Sequence, residues 1–261
     1  MRILVCPAAG FGTRFSRNGY KLPKPLIMCN GAPMFVRAIE PLMPFVDRAY
    51  IIFSQMMQDY VHAIDASVDL NPKLEGRVDR SFITPQLEGA AMTVLTMQGL
   101  VNDSDEIVIV NSDQVFEDPD ALGRWFRHID DARPDGSILV FTASGPQWSY
   151  VRPVHPDEES MFRPNAIAEV AEKQQISDLA TCGAYYFRSW VGLRRAICRM
   201  VADNDRTNNE FYLAPAYNHL MYTEDVYVSY YEMPKAGYWC VGTPELLKEW
   251  EAHDGAQTGN R

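Results

Sequence analysis

Residues 2–27 read RILVCPAAGFGTRFSRNGYKLPKPLI. The opening "RILVCPAA" is a short apolar run, the pattern of a buried β-strand. It leads directly into a glycine turn, Ala8-Ala9-Gly10-Phe11-Gly12-Thr13-Arg14. Glycines there permit positive φ and let backbone N–H groups approach a ligand closely. A ligand with concentrated negative charge gains most from such donors. Two familiar phosphate motifs are absent. There is no Gly-Lys-Ser/Thr ending of a Walker A loop, and the third position of Gly-x-Gly-x-x-Gly is Phe15. On the glycines alone, the stretch reads equally well as a strand-to-helix turn without a ligand. The cations shift that balance. Arg14 and Lys24 stand ten positions apart, and Pro23 and Pro25 flank Lys24, which limits its backbone freedom. An ammonium held in place suits a phosphoryl group in transfer.

Outward from this stretch, apolar runs alternate with helical spacing. "PMFVRAIEPLMPF" and "QMMQDYVHAIDASV" are helical, and "AYIIFS" and "RSFITP" are strands. "GAAMTVLTMQGLV" is a helix with Gly89 at its start, and "DEIVIVNSDQVF" is the clearest strand of all, an unbroken apolar run ending in polar residues. "DALGRWFRHID" is helical and "GSILVFTAS" a strand. Such interleaving predicts βαβ crossovers and a mostly parallel sheet. After about Ser144 the texture changes. "AIAEVAEK" and "DLATCGAYYFR" read as strands with turns between them, "SWVGLRRAICRMVADN" as a helix, "EFYLAPAYNHLMYT" as the start of another and "DVYVSYYEM" as a strand. The expected organisation is a single domain over 1–252, with a nucleotide-binding half over 1–144, an acceptor-binding half over 145–252 and a flexible tail over 253–261. The aromatic cluster Tyr185, Tyr186, Phe187, Tyr227, Tyr230 and Tyr231 is assigned to core and sheet face.

The formal net charge of −10 disfavours nucleic acid and anionic membranes as partners. Any anionic substrate must therefore be met by local cations. The five cysteines show no C-x-x-C spacing and their number is odd, which fits a reducing, cytoplasmic setting. The histidines show no zinc-site spacing. The apolar run before Pro7 is too short for a signal peptide, and nothing approaches the ~20 apolar residues of a membrane span.

Gly10-Phe11-Gly12-Thr13-Arg14 followed by Pro23-Lys24-Pro25-Leu26 resembles the signature of the sugar-phosphate nucleotidyltransferases, the pyrophosphorylases that make activated sugars. Further stretches are similar to that family in the same order. "QLEGAA" resembles its base-reading segment, which implies that Gln86 and Gly89 lie near the nucleobase. "VNSDQVF" resembles the strand whose aspartate binds Mg²⁺, here Asp113. "VAEKQ" looks like the Glu-Lys pair on the acceptor, here Glu172 and Lys173, and "CGAYYF" implies Gly183 at the acceptor. "GYWCVGTPELL" looks like the closing motif. The resemblance covers residues 1 to about 250, and "NEFYLAPAYNHL" looks closest to capsule- and surface-polysaccharide-type members. It implies a Rossmann-like three-layer α/β/α fold with a mixed, mostly parallel sheet, of the nucleotide-diphospho-sugar transferase type. It implies an NTP and a phosphorylated small-molecule acceptor as partners and Mg²⁺ as cofactor, and it allows a homo-oligomer.

One position departs from the family. A second metal-binding aspartate often precedes Val-Gly-Thr there, and here that residue is Cys240. A thiol is a poor ligand for Mg²⁺, which prefers hard oxygens. Cys240 is expected to be a small buried packing residue, with Glu210 and Glu245 as candidate substitutes at the metal.

The chemistry the resemblance implies is transfer of NMP to a phosphate oxygen of the acceptor, a sugar 1-phosphate, with Arg14, Lys24 and Asp113 as the catalytic set. Ala9, Gly10, Phe11, Gly12 and Thr13 would join Gln86 and Gly89 in holding the nucleotide. Two other readings stay open at this level: a nucleotide or nucleotide-sugar binding protein without turnover, and a glycosyltransferase on a related fold.

Overall fold

The computed structural model describes residues 1–84, 87–155, 163–223 and 225–258, the side chains of 255–258 excepted. The opening run forms β1 (Arg2–Ala8), and the glycine turn enters the short helix α1 (Thr13–Arg17). A 3-10 turn at Lys24–Leu26 and the hairpin β2 (Met28–Cys29) and β3 (Ala32–Pro33) lead to α2 (Met34–Ile39). Strand–helix units follow: β4 (Arg48–Ser54), α3 (Val61–Asp69), β5 (Val78–Ile83), α4 (Ala90–Leu95) and β6 (Glu106–Val110). Next come β7 (Gln114–Phe116), α5 (Pro119–Ala132), β8 (Gly136–Thr142), β9 (Ser149–Pro153), β10 (Ile167–Glu172) and β11 (Leu179–Phe187). The remaining elements are α6 (Trp190–Ala202), α7 (Ala216–Met221), β12 (Val228–Glu232), β13 (Tyr238–Cys240) and α8 (Pro244–Thr258).

β1 pairs in parallel with β4 on one side and β6 on the other, and β4 pairs in parallel with β5. β12 runs parallel to β8, while β11 is antiparallel to both β6 and β8. The main path is β10-β9-β11-β6-β1-β4-β5, with β8 and β12 joined through β11. Side chains alternate across a strand, so Leu4, Cys6 and Ala8 enter one core and Ile3 and Val5 the other. The first core packs Phe35 of α2, Ile64 of α3 and Trp125 of α5. The second packs Val94 of α4, Trp190 of α6 and Tyr217 of α7. The result is the Rossmann-like three-layer α/β/α arrangement with a mixed, mostly parallel sheet that the family resemblance implies, built on the βαβ crossovers expected from the alternation of elements. A third, smaller core gathers Phe15 of α1, Ile27, Met34 and Val115 with Val241, Leu247 and Trp250.

"DLATCGAYYFR" forms one nine-residue strand, β11, as the sequence reading expects. Pairing with β8 at both of its ends keeps it extended, and only a register shift between Thr181 and Tyr185 interrupts the ladder. "EFYLAPAYNHLMYT" becomes helical only at Ala216, after Pro215. A proline lacks the N–H of a helix interior and biases its predecessor away from helical geometry. Tyr185, Tyr186, Phe187 and Tyr227 are buried, and the Phe187 ring stacks on Tyr217 at 4.4 Å. α8 continues past His253 to Thr258. No helix among the described residues is long and apolar enough to cross a membrane.

Candidate active site

The carboxyl ends of β1 and β6 open onto a cavity of about 640 Å³. Gly10, Phe11, Gly12, Thr13 and Arg14 line it from the turn after β1, Lys24 from the proline-flanked 3-10 turn, and Asp113 from just beyond β6. Glu172 and Lys173 reach it from the end of β10, Gly183 from β11 and Cys240 from the end of β13. Ala9 is buried beside the turn, and Gly89 immediately precedes Ala90, which lines the cavity. Gln86 lies outside the described residues.

Gly12 holds φ at +61°, and a Cβ built there would lie 2.6 Å from Lys24 Cβ. The glycine is needed twice, for its backbone and for room beside the lysine stem. Gly12→Ala should destabilise the fold by about 1 kcal/mol from the backbone alone. It should also raise the nucleotide KM by displacing Lys24. A urea titration and initial-rate kinetics check the two effects separately.

At the centre of the cavity Lys24 Nζ donates to Asp113 Oδ2 at 2.5 Å. The other carboxylate oxygen, Oδ1, accepts from Gln114 Nε2 at 2.6 Å, and Gln114 Oε1 accepts from Tyr238 Oη at 2.5 Å. Because the tyrosine hydroxyl donates to the amide oxygen, the amide nitrogen is turned toward Asp113. β7 and β13 make this possible, pairing antiparallel with Cys240 opposite Gln114. Cys240 is half-buried, packs against the first core and also lines the cavity. Its strand ends at the cavity rim, and its thiol shares Gly242 as a neighbour with Asp113 Oδ2. Burial and the Asp113 carboxylate push that thiol up to about 12, so it is neutral at physiological pH.

On the opposite wall, Ser149 Oγ donates to Glu172 Oε2 and Lys173 Nζ donates to Tyr212 Oη. Burial lifts the Glu172 carboxyl above its ordinary value against the Ser149 hydrogen bond and the Lys173 charge, and Glu210 lifts it further. A carboxyl raised in the fold lowers stability as pH climbs through the ordinary carboxylate range toward the folded value. Glu172→Gln should therefore raise Tm at neutral pH, with the gain vanishing in acid. Thermal melts across pH 4–8 (an assay window of about four units, chosen to span the carboxylate range) test this. Glu210 lines the cavity, whereas Glu245 is not among its lining residues.

Sequence reasoning missed Gln114, Tyr212 and Tyr238. Gln114 and Tyr238 sit inside stretches already marked, "VNSDQVF" and "GYWCVGTPELL", so adjacency was the available signal. Tyr212 likewise sits inside a marked stretch, "NEFYLAPAYNHL", in a segment of irregular backbone.

An open α/β sheet with a cavity at the carboxyl ends of its central parallel strands belongs to the class that takes ligands at those ends. Within that class, the chain belongs to the nucleotidyl transferase family, whose model matches residues 4–257. The bifunctional protein GlmU of Methanocaldococcus jannaschii is 28% identical over 116 residues, 44% of this chain and 25% of that protein. The alignment thus spans about a quarter of that relative's length. A nucleoside-diphosphate-sugar pyrophosphorylase from Vibrio cholerae RC9 shares the fold with a TM-score of 0.76 and 22% identity, covering 96% of this chain and 99% of that one. A UDP-glucose pyrophosphorylase complexed with UDP-glucose gives a TM-score of 0.76 at 15% identity over 100% of both chains.

Proposed function

We propose that the protein transfers a nucleoside monophosphate from an NTP to the phosphate of a small phosphorylated acceptor, a sugar 1-phosphate, and releases pyrophosphate. The observation that carries this reading is the Lys24–Asp113 pair in one cavity with both the glycine turn and Glu172–Lys173. The names of the Vibrio cholerae and UDP-glucose-bound proteins support a nucleotide sugar as product. We place the enzyme in the cytoplasm, making precursors for surface polysaccharide.

An acceptor phosphate oxygen attacks the α-phosphorus of the NTP. A new P–O bond forms as the bond from the α-phosphorus to the pyrophosphate oxygen breaks, and pyrophosphate carries away the electron pair. The nucleophile is already anionic near neutral pH, since a phosphomonoester's second pKa is about 6, so no general base is required. The work left to the protein is positioning and charge neutralisation. Lys24 bridges the α-phosphate and the incoming phosphate. Arg14 and the N–H groups of Gly10–Thr13 meet the departing phosphates. Gln86 and Gly89 are assigned to the nucleobase, and Glu172, Lys173 and Gly183 to the acceptor.

For Mg²⁺ the donor set is sparse. Asp113 offers hard oxygens, Cys240 is a neutral thiol, and no group of three or more His, Cys, Asp or Glu side chains suited to a metal occurs among the described residues. This fits an ion held by Asp113 together with triphosphate oxygens and water, a usual arrangement for Mg²⁺. Bound there, Mg²⁺ supplies neutralising charge on the phosphates.

The test is a panel of CTP, UTP, dTTP, ATP and GTP against several sugar 1-phosphates, reading pyrophosphate release with Mg²⁺ and with EDTA. Release that needs both substrates and the metal is expected. Nucleotide binding with no pyrophosphate from any pairing would establish a binding protein instead.

A further inference from the structure

The segment Glu210–Leu213 touches both sides of the cavity. Phe211 is bonded into the turn that precedes α4. Its N–H donates to the Glu88 carbonyl at 2.7 Å, and its own carbonyl accepts from Ala91 N–H at 3.1 Å. The fit is close: Gly89 has φ +106°, and a Cβ there would lie 2.4 Å from the Phe211 oxygen. The next residue, Tyr212, lines the cavity and takes the Lys173 ammonium. Lys173 Nζ donates to its hydroxyl and lies 4.3 Å from the ring centroid. Two adjacent residues therefore grip the two sides, one by backbone and one by side chain.

Lys173 is held from its other end as well. Its backbone sits in the left-handed region at φ +56°, and its N–H donates to the Trp148 carbonyl at 2.9 Å. A non-glycine residue held in that region is strained, and such strain gathers where geometry matters more than stability. The Lys173–Tyr212 contact is half-buried at the cavity wall and belongs to neither main core. One of the three ammonium N–H groups is spent on Tyr212, which leaves two for oxygens of a ligand.

We infer that Tyr212 is a positioning residue for the acceptor: it aims the Lys173 ammonium at a phosphate or hydroxyl oxygen of that substrate, at a spacing from the nucleotide side fixed by the neighbouring Phe211–Gly89 lock. The inference rests on the proposed reading of the cavity as a nucleotidyl-transfer site. It adds a residue, and a link between two subsites, that the reading does not itself require.

The experiment compares Tyr212→Phe, Tyr212→Ala, Lys173→Met and the Lys173→Met/Tyr212→Ala double variant in the full chain. Tyr212→Phe keeps the ring and loses the hydroxyl, and should raise the acceptor KM about five-fold. Tyr212→Ala loses both contacts and should raise it about twenty-fold. The NTP KM should move less than about two-fold in either. In the Lys173→Met background, Tyr212→Ala should add no further loss, since the pair acts as one unit. An equal rise in both KM values, or a full additional loss in that background, would overturn the inference.

A second readout does not depend on turnover. Lys173 acetylation by acetic anhydride, followed by mass spectrometry, should be at least about five-fold faster in Tyr212→Ala than in the wild type, because an ammonium freed from its ring and hydroxyl samples solvent. If the wild type releases no pyrophosphate from any substrate pair, the proposed function fails and the labelling alone decides on Tyr212. Unchanged Lys173 reactivity then rejects it.

Discussion

Lys24→Met should lower kcat by about 10²–10³-fold, the loss expected when a group that stabilises transition-state charge is removed. That corresponds to ~3–4 kcal/mol at ~1.4 kcal/mol per decade. The structure gives the reason for so large an effect. Lys24 is fixed at its backbone by Pro23 and Pro25, and its ammonium is already anchored on Asp113 at 2.5 Å. It enters the reaction pre-placed, so little ordering remains to be done when the phosphates arrive. Methionine keeps the length and apolar stem and deletes only the charge. Lys24→Arg should rescue poorly, because a planar guanidinium does not replace a compact ammonium. Steady-state kinetics with pyrophosphate detection, on protein whose circular dichroism matches the wild type, is the check. Turnover near the wild-type rate would take the lysine out of the mechanism.

Asp113→Asn is expected to cost at least about 10²-fold in kcat, since it removes the carboxylate proposed to hold the metal while keeping its shape. The side chain is 17% exposed, and both its oxygens are engaged, by Lys24 and by Gln114. The neutral amide keeps an oxygen for Gln114 and loses the charge that pairs with Lys24 and that would hold a metal ion. Two measurements separate the consequences. The Mg²⁺ concentration for half-maximal rate should rise, and Mn²⁺ binding in the presence of nucleotide, followed by electron paramagnetic resonance, should weaken. A variant that keeps its rate and its metal affinity would leave Asp113 as no more than the partner of a lysine.

The parts of the molecule that short-range chemistry dictates were readable in advance. Apolar continuity marked β1 and β6, the glycines marked the turn after β1, and two prolines singled out Lys24. The parts that depend on distant pairing were not. Nothing local tells Tyr238 that its hydroxyl will meet Gln114, 124 positions earlier, or places Cys240 at a cavity rim. β11 was legible as a strand, but not the register shift that its ladder with β8 takes between Thr181 and Tyr185. Tyr212 sits in the marked stretch "NEFYLAPAYNHL", but nothing local in it shows the contact with Lys173, and its place follows from the bonds of Phe211 beside it. The candidate site thus divides along the same line, with the phosphate-facing residues legible from spacing and the residues that aim them visible only in three dimensions.

Phe15, the residue that spoils the dinucleotide fingerprint, is buried in the small core with Ile27, Val241, Leu247 and Trp250. The glycine turn's helix therefore rests in part on residues more than two hundred positions later in the chain. A chain cut before Val241 would keep the whole turn sequence and lose Val241, Leu247 and Trp250 from the side chains packed beneath it. The hold on a triphosphate proposed for this turn thus depends on segments far apart in the sequence, although its glycines and Arg14 all precede Phe15.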